Sequence, residues 1–294
     1  MTGKTIVITG CSSGFGRCTA LELAGRGWHV FATVRKDADR ESLLAEAALH
    51  NCQEHVTPLL CDIIHDEDIV ALAQAVETLL RAASGEPETA TPQLDALLNN
   101  AGSAYGGPIE LIPMEHVRAQ FELNVFAQVA VTRAFLPLLK AGRGTIINVS
   151  SVSGRISIPV TGVYSASKFA LEALSDALRI ELAPFGIHVV LIEPASSPTS
   201  IWQTSMQRSM ETLVEHKDDG PYMRLLQTAE RSVAQSSKTG FPVQKFADTV
   251  VRILTSRSPR ARYAVPASAD ALMFLRRFLP DALWDSLIRR ALKW

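Results

Sequence analysis

The chain has 294 residues, of which 47% are apolar and 20% are charged. These fractions match ordinary globular usage, so the composition excludes a disordered chain. The net charge of −1 provides no field to attract a phosphate backbone, and we therefore expect no nucleic-acid partner.

Short apolar runs alternate with helical patterns along the first two thirds of the chain. This alternation is typical of βαβ units, in which helices join parallel strands. The patterns predict strands at 5–9, 28–34, 56–61, 94–98, 144–150 and 187–193, and helices at 17–25, 42–49, 66–81, 113–140 and 164–183. Residues 84–93 have turn chemistry and form a predicted surface loop.

The last third has weaker periodicity. Residues 195–240 are rich in Ser, Thr, Gln and Met, and we expect them to be a variable region that shapes a substrate site. Residues 241–294 are a predicted C-terminal extension, with a strand at 260–265 and an amphipathic helix at 274–294 that is interrupted at Pro280. The fold class is therefore α/β: one domain over 1–294, with a doubly wound, Rossmann-like parallel sheet at 1–193 and a helical extension that covers the substrate.

The four cysteines, Cys11, Cys18, Cys52 and Cys61, form no CxxC pair and have no His at ligand spacing. They predict reduced thiols and no metal site. The amino terminus lacks the features of a signal peptide, and no uninterrupted apolar run reaches the roughly 18 residues that span a bilayer. We expect a cytoplasmic protein.

A glycine-rich loop, TGCSSGFG, joins the first strand to the first helix. Glycine permits positive φ and lets a pyrophosphate approach the backbone, while the helix N-terminus presents free N–H groups to the anion. The spacing differs from the GxGxxG of other dinucleotide-binding loops. The alternative is an ordinary tight turn. We predict cofactor contacts from Gly10, Ser12, Ser13, Gly14, Phe15 and Gly16.

The end of the second strand selects the dinucleotide, because an acidic residue there binds the ribose 2′-OH and a cation accepts a 2′-phosphate. This chain has Arg35 and Lys36 at that point, and Asp37 comes too late in the pattern. NADP(H) is favoured over NAD(H), since Arg holds phosphate through charge-assisted hydrogen bonds. The alternative is that both are solvated loop charges.

Tyr164 and Lys168 are four residues apart at the start of a predicted helix, so their side chains share one face. A free tyrosine has a pKa near 10, but a neighbouring ammonium and a nicotinamide cation favour the phenolate. We therefore predict that Tyr164 has a lowered pKa and exchanges a proton with an alcohol or ketone. YxxxK alone is weak evidence, because such pairs occur by chance on many surface helices.

The loop TGxxxGxG, the sequence NNAG at 99–102 and YxxxK, in this order, resemble the short-chain dehydrogenase/reductase family over residues 1 to about 200. Within the family, CSSGFG, ATVRK, YSASKFALEALSDALRIEL and the long C-terminal region resemble the branch of 17-beta-hydroxysteroid and retinol dehydrogenases. The resemblance implies an oxidoreductase that moves a hydride between a nicotinamide and an alcohol or ketone.

The resemblance also implies roles for further residues. Ser151 would hydrogen-bond the substrate oxygen, with Ser150 as a competing candidate. Asn124 would be a catalytic asparagine that holds a water leading to Lys168, although a buried amide can also be a satisfied core residue. Additional cofactor contacts, besides Tyr164 and Lys168, are Asp62, Ile63, Asn100, Ala101, Gly102, Pro194, Ser197 and Thr199.

One residue departs from the family pattern. Ala195 follows Pro194 where the family usually has glycine. If the glycine adopts a conformation that alanine avoids, the loop that contacts the nicotinamide carboxamide is shifted or strained. We expect weaker cofactor binding in that case.

The segment after residue 195 offers a predicted apolar substrate lining, which Tyr105, Ile156 and Val160 would face: Ile201, Trp202, Met206, Met210, Leu213, Tyr222, Met223 and Leu226. Trp202, Ser151 and Tyr164 are the predicted substrate contacts. Such a lining suits a bulky steroid-, retinoid- or aryl-ketone-like compound. The alternative is that half of these residues belong to the core.

Residues 274–294 mix aromatic and basic side chains in a pattern compatible with an interfacial membrane helix. Pro280, Asp281 and Asp285 dilute that pattern, and a helix that covers the domain or a second subunit is favoured. The family resemblance implies a homodimer or homotetramer through the helices that carry Asn124 and Tyr164.

The sequence disfavours two other functions. An epimerase of the extended branch of the family would have TGxxGxxG and a longer chain, so the glycine spacing disfavours it. A non-catalytic NADP(H)-binding sensor or scaffold is disfavoured by the complete set of Asn124, Ser151, Tyr164 and Lys168.

Overall fold

Seven strands form one parallel sheet in the order β3-β2-β1-β4-β5-β6-β7. The structure is a computed structural model that describes residues 3–84, 90–198, 204–205, 220–292 and 294. The strands are β1 (Thr5–Ile8), β2 (His29–Val34), β3 (Val56–Leu60), β4 (Ala96–Asn99), β5 (Thr145–Val149), β6 (His188–Pro194) and β7 (Arg262–Val265). All the strands predicted from the sequence are confirmed, including the last one.

Helices cover both faces of the sheet. They are α1 (Gly14–Gly25), α2 (Asp37–Leu49), α3 (Asp66–Ser84), α4 (Met114–Phe121), α5 (Ala127–Gly142), α6 (Gly162–Glu181), α7 (Gly220–Thr239), α8 (Val243–Thr255), α9 (Ala269–Arg276) and α10 (Asp281–Leu292). Short 3₁₀ turns lie at Gln53–His55, Val152–Gly154 and Ala183–Phe185. This arrangement confirms the predicted doubly wound α/β fold.

Alternate residues of each central strand enter opposite cores. Ile6 and Ile8 of β1 pack beneath α1, α2 and α8, whereas Val7 packs beneath α3 and α5. Because successive side chains of a strand point to opposite faces, a strand with helices on both sides must be apolar throughout. The all-apolar run TIVI has this property. Pro58 is tolerated because β3 is an edge strand.

The helices differ from the predicted bounds mainly at their starts. The helix α2 begins at Asp37, not at residue 42, because the carbonyl of Lys36 accepts hydrogen bonds from the N–H groups of Asp39 and Arg40. Acidic residues in this first turn also complement the helix dipole. The helix α1 begins at Gly14, inside the glycine-rich loop.

Two helices were missed. Residues 220–239 form α7 within the region of weak periodicity, and Val243–Thr255 forms α8. The buried side chains of α8 repeat with helical spacing, so a pattern was available in the sequence: Phe246, Val250, Ile253 and Leu254. The single predicted C-terminal helix is two helices, α9 and α10, with the break at Pro280 as expected.

The helix over Met114–Gly142 is long and apolar enough, by composition, to cross a membrane. Polar residues interrupt this helix, so it contains no uninterrupted apolar run of that length. Its side chains Val131, Phe135 and Leu139 are buried against the sheet, which is the position of a core helix in an α/β fold.

The four cysteines are free thiols in the structure. Three of them, Cys11, Cys52 and Cys61, are buried. Burial raises the pKa of Cys61 to about 12, so this thiol stays protonated and unreactive near neutral pH.

Candidate active site

A cavity of about 520 Å³ opens at the carboxyl ends of the strands, where β1 and β4 lie side by side and the strand order reverses. Ligands bind at such switch points in open α/β sheets. The cavity wall includes these predicted site residues: Gly10, Ser12, Ser13, Gly14, Phe15, Arg35, Asp62, Ile63, Asn100, Ala101, Gly102, Ser151, Tyr164, Lys168, Pro194 and Ser197. Gly16, Lys36 and Asn124 lie outside the wall, and Thr199 and Trp202 lie outside the described residues.

The glycine-rich loop has the backbone that its sequence predicts. Gly10 has a φ of +74° and Gly14 a φ of +58°. Residues with a Cβ rarely adopt this region of backbone conformation. A Cβ on Gly10 would lie 2.9 Å from the Cα of Ala101. At Gly16 a Cβ would meet the carbonyl oxygen of Gly10 and the side-chain amide of Asn100, so this glycine packs helix α1 against the loop and does not contact the cavity.

The loops that follow β1 and β4 are tied together by Thr9. Its Oγ1 accepts hydrogen bonds from the backbone N–H groups of Asn100 and Ala101, both at 3.0 Å. The amide of Asn100 in turn donates to the carbonyl oxygens of Thr9 (2.8 Å) and Gly10 (3.0 Å). The two loops therefore form one rigid floor. Asn100 was predicted as a site residue, but Thr9 was not assigned a role.

Arg35 and Lys36 point to different surroundings. Arg35 lines the cavity, its side chain is 69% exposed, and its Nη1 lies 3.7 Å from Oδ2 of Asp62. Lys36 instead caps the N-terminus of α2 through its backbone. The structure thus brings only one of the two predicted cations to the cavity.

The predicted catalytic side chains meet on one wall. Tyr164 lies in the first turn of α6, is buried, and hydrogen-bonds with Ser151. Ser151 Oγ also accepts a hydrogen bond from the N–H of Ser153 at 3.1 Å, which orients the hydroxyl. Lys168 Nζ donates to the carbonyl oxygen of Val149 at 2.8 Å and lies 5.8 Å from the centre of the Tyr164 ring.

Burial acts against the lowered pKa that is predicted for Tyr164 beside an ammonium and a nicotinamide cation. Burial raises the pKa of Tyr164 to about 12, and the hydrogen bond with Ser151 offsets this only in part. Burial also lowers the pKa of Lys168 to about 8, which the carboxylate of Glu172 opposes. Tyr164 is therefore a phenol near neutral pH and can donate a proton to an oxygen atom in the cavity.

Asn124 lies in a π-helical turn, Glu122–Phe126, between α4 and α5. Its Oδ1 accepts from the N–H of Ser103 at 3.0 Å, and its Nδ2 donates to the carbonyl of Ser103 at 3.0 Å and to Ser167 Oγ at 3.1 Å. The side chain is a satisfied core amide that fixes Ser103 on the cavity wall. The predicted water-holding role stays a prediction.

Two glutamines, one on each side of Asn124 in the sequence, were not predicted as site residues. Gln120 accepts from the N–H of Tyr105 and donates to the carbonyl of Ser103, both at 2.8 Å. Gln128 donates to the carbonyl of Ala101. Gln120, Asn124 and Gln128 are spaced by four, so a polar stripe on an apolar helix face was the available signal.

Ala195 does not strain its loop. It is not among the described residues with positive φ, and its N–H donates to the carbonyl of Val265 on β7 at 2.7 Å. The loop therefore lacks the distortion that was expected, because the backbone at Ala195 adopts a conformation that alanine readily takes. Ser197 is buried, and its hydroxyl donates to the carbonyl of Phe241 at 2.8 Å, which anchors the loop to the segment before α8.

Comparison with known proteins identifies the family. The family model described as short chain dehydrogenase matches residues 4–210. An uncharacterized oxidoreductase, YusZ of Bacillus subtilis, is 37% identical over 99% of both chains. The NADPH-dependent 3-dehydrocapnine reductase of Ornithobacterium rhinotracheale is 32% identical over 98% of this chain and 96% of its own. The 3-ketodihydrosphingosine reductase of Bacteroides thetaiotaomicron is 32% identical over 98% of both.

A solved structure agrees with these relatives. The short-chain dehydrogenase/reductase of Burkholderia phymatum in complex with NAD superposes with a TM-score of 0.77 and 25% identity, and the match covers 94% of this chain and 93% of that one. The family match spans the glycine-rich loop, strands β1 to β6, and the wall formed by Ser151, Tyr164 and Lys168. The chain is an oxidoreductase that belongs to the short-chain dehydrogenase/reductase family.

Proposed function

We propose that this protein is an NADP(H)-dependent reductase of a bulky, apolar ketone. The observation that carries the proposal is Tyr164, hydrogen-bonded with Ser151, on the wall of a cavity that Lys168 and Arg35 also line. Two relatives are reductases by name, and one of these names states NADPH dependence.

The chain's own residues fit a dinucleotide. A Cβ on Gly10 would come within 2.9 Å of the backbone of Ala101, so the loop needs glycine there, and the N-terminus of α1 offers N–H groups to a pyrophosphate at the same place. Arg35 would hold a 2′-phosphate. When bound, the cofactor supplies the hydride that reaches the carbonyl carbon.

The residues of the wall then complete the reduction. Ser151 donates a hydrogen bond to the carbonyl oxygen and Tyr164 transfers its phenolic proton to that oxygen, so that hydride and proton together convert the ketone into an alcohol. The ammonium of Lys168 stabilises the phenolate that remains. Reversal of the same steps oxidises an alcohol.

The preference for a phosphorylated dinucleotide is supported by charge at the end of β2. Arg35 follows the strand directly, and Asp37 lies in the first turn of α2. Within the described residues at the end of β2, Arg35 therefore stands where an acidic residue would bind a ribose 2′-OH.

The proposed substrate class rests on the apolar lining predicted from the sequence, of which the described cavity wall includes Tyr105 but not Ile156, Val160, Tyr222, Met223 or Leu226. Val160 has a φ of +71°, rare for a β-branched residue, and packs against Leu225 and Leu226 of α7. Tyr222 of α7 donates to Glu110 Oε2 at 2.7 Å and thereby ties this helix to the loop before α4. Leu226 and Tyr222 form an apolar cluster beside the site and do not line the described cavity, whereas Tyr105 lines it as predicted.

The test is a screen of NADPH and NADH oxidation with steroid, retinoid and aryl ketones. We expect turnover of at least one class, with NADPH preferred by about tenfold or more, since Arg35 contributes a charge-assisted contact. Tight NADPH binding without turnover of any ketone would favour a non-catalytic NADP(H)-binding protein.

We further propose a cytoplasmic homodimer that is joined through α5 and α6. Apolar side chains are exposed along α6, where an isolated subunit has no partner for them: Ala166, Phe169, Ala173, Ala177 and Ile180. Phe126, just before α5, is also exposed. The molar mass from light scattering tests the assembly.

The pKa of Lys168 predicts a pH limit for ketone reduction. Because burial lowers the pKa of Lys168 to about 8, the side chain is cationic below that pH and neutral above it. We expect kcat/KM for the ketone, at saturating NADPH, to be level near neutral pH and to fall above about pH 8. In Lys168→Arg the fall should move to higher pH, since a guanidinium keeps its proton. An unchanged fall in that variant would assign it to another group.

A further inference from the structure

Helix α6 carries a buried carboxylate behind the catalytic wall. Glu172 lies four residues after Lys168, so the two side chains share one face of the helix. The side chain of Glu172 is only 7% exposed. Gly154 leaves room for it, since a Cβ on this glycine would lie 3.1 Å from the Cγ of Glu172. A buried carboxylate is costly unless positive charges nearby compensate for it.

Arg262 of β7 supplies the first of these charges. Its Nε donates to Oε2 of Glu172 at 2.9 Å, and its Nη2 donates to both carboxylate oxygens of Asp176 at 2.8 Å. The guanidinium thereby fixes the carboxylate of Glu172 in place. The other oxygen of Glu172, Oε1, is buried and has no hydrogen-bond partner among the described residues. Arg262 therefore compensates only one side of this carboxylate.

A second carboxylate, Glu193 of β6, belongs to the same cluster. Its Oε1 lies 3.0 Å from Nη1 of Arg155 and 3.5 Å from Nε of Arg262. Burial and the nearby carboxylate of Glu172 raise the pKa of Glu193 to about 7. A proton that enters the cluster near neutral pH is therefore held by Glu193, and Glu172 keeps its negative charge.

The charge of Glu172 acts on Lys168. The Nζ of Lys168 donates to a neutral acceptor, the carbonyl of Val149, and lies 5.8 Å from the ring of Tyr164. Burial lowers the pKa of Lys168 to about 8, and the carboxylate of Glu172 opposes this lowering. Without that carboxylate, the ammonium would lose its proton at a lower pH.

We propose that Glu172 is a positioning residue of this active site, whose carboxylate, fixed by Arg262, holds the Lys168 side chain in its charged form from behind the catalytic wall. Glu172 does not line the described cavity, so it acts through Lys168 and not on a bound molecule. The effect on ketone reduction rests on the proposed function, whereas the coupling between the two side chains does not.

The test is a pH titration of the Lys168 side chain by NMR, in the full chain with isotope-labelled lysine and without cofactor or substrate. Lys168→Arg identifies the signal. In Glu172→Gln, we expect the inflection of Lys168 to move down by about one pH unit or more, because one adjacent opposite charge has an effect of this size. An unchanged inflection would overturn the proposal.

Asp176→Asn is the matched control. Asp176 also bonds Arg262, but it lies about two helical turns beyond Lys168 and is 43% exposed. This variant removes one negative charge from the same cluster and should leave the inflection of Lys168 nearly unchanged. An equal shift in the two variants would mean that the overall charge of the cluster, and not Glu172, acts on Lys168.

A second variant measures the same coupling from the other side, and decides the question if Glu172→Gln does not fold. Lys168→Met removes the ammonium but keeps an unbranched side chain. Because the coupling between two groups is reciprocal, the carboxyl signal of Glu172 should then titrate at a higher pH than in the unaltered chain. Glu172→Asp identifies that signal, and circular dichroism shows that the variants are folded. A carboxyl signal that does not move would overturn the proposal.

Catalysis provides a readout that a merely structural role would not move. In Glu172→Gln, the fall of kcat/KM for the ketone should begin about one pH unit or more below that of the unaltered chain. Adding Lys168→Arg should return the fall to high pH, since a guanidinium keeps its proton. A lower rate with an unshifted profile would reduce Glu172 to a structural residue. If no ketone is turned over, the proposed function fails, and the NMR titration still decides the coupling.

Discussion

Tyr164→Phe is expected to lower kcat for ketone reduction by about 10²–10⁴-fold, the usual contribution of a positioned general acid. The substitution removes only the phenolic oxygen, which carries the proton and the hydrogen bond with Ser151. The ring stays buried in the first turn of α6, so the fold and NADPH binding should be retained. Stopped-flow reduction and fluorescence titration with NADPH measure the two effects separately.

A second tyrosine on the cavity wall provides the control. Tyr105 also lines the cavity, and its ring lies 4.8 Å from that of His116. Tyr105→Phe should keep most of the activity, because the mechanism takes no proton from that hydroxyl. Turnover by Tyr164→Phe at the level of the unaltered chain would refute the assignment of the acid.

Arg35→Ser is expected to raise KM for NADPH by about 10- to 100-fold, because a charge-assisted, bidentate contact with phosphate contributes a few kcal/mol. The KM for NADH should change little, since NADH has no 2′-phosphate. Arg35 Nη1 lies 3.7 Å from Oδ2 of Asp62, so the substitution also removes the cationic partner of this carboxylate. The unpaired carboxylate then further disfavours a phosphate nearby. Initial rates with both cofactors measure the preference.

Lys36→Ser is the matched control. It removes one positive charge from the residue next to Arg35, but Lys36 does not line the cavity. We expect it to change KM for NADPH far less than Arg35→Ser does. An equal loss in the two variants would mean that general positive charge, and not Arg35, attracts the cofactor. A native preference for NADH by about tenfold or more would show that our interpretation of the strand end is wrong.

Local patterns account for most of the fold. The strand TIVI is apolar at every position because helices cover both faces of the sheet, and this property is visible in four consecutive residues. The helix α8 shows what local patterns do not predict. Its buried residues repeat with helical spacing, yet nothing in that spacing indicates that they pack against the sheet beneath α1, where Phe246 stacks on Phe15 at 4.3 Å.

The sequence by itself determined the order of strands and helices, the glycine-rich loop, and the shared helix face of Tyr164 and Lys168, because each depends on residues close together in the chain. Tertiary structure decided the rest. Burial sets the pKa of Tyr164. Lys36 lies outside the cavity wall because α2 begins directly after it. The loop at Ala195 is held without strain by the hydrogen bond from its N–H to β7. Burial and contacts between distant residues arise only when the sheet assembles, and neither has a signature in a local pattern.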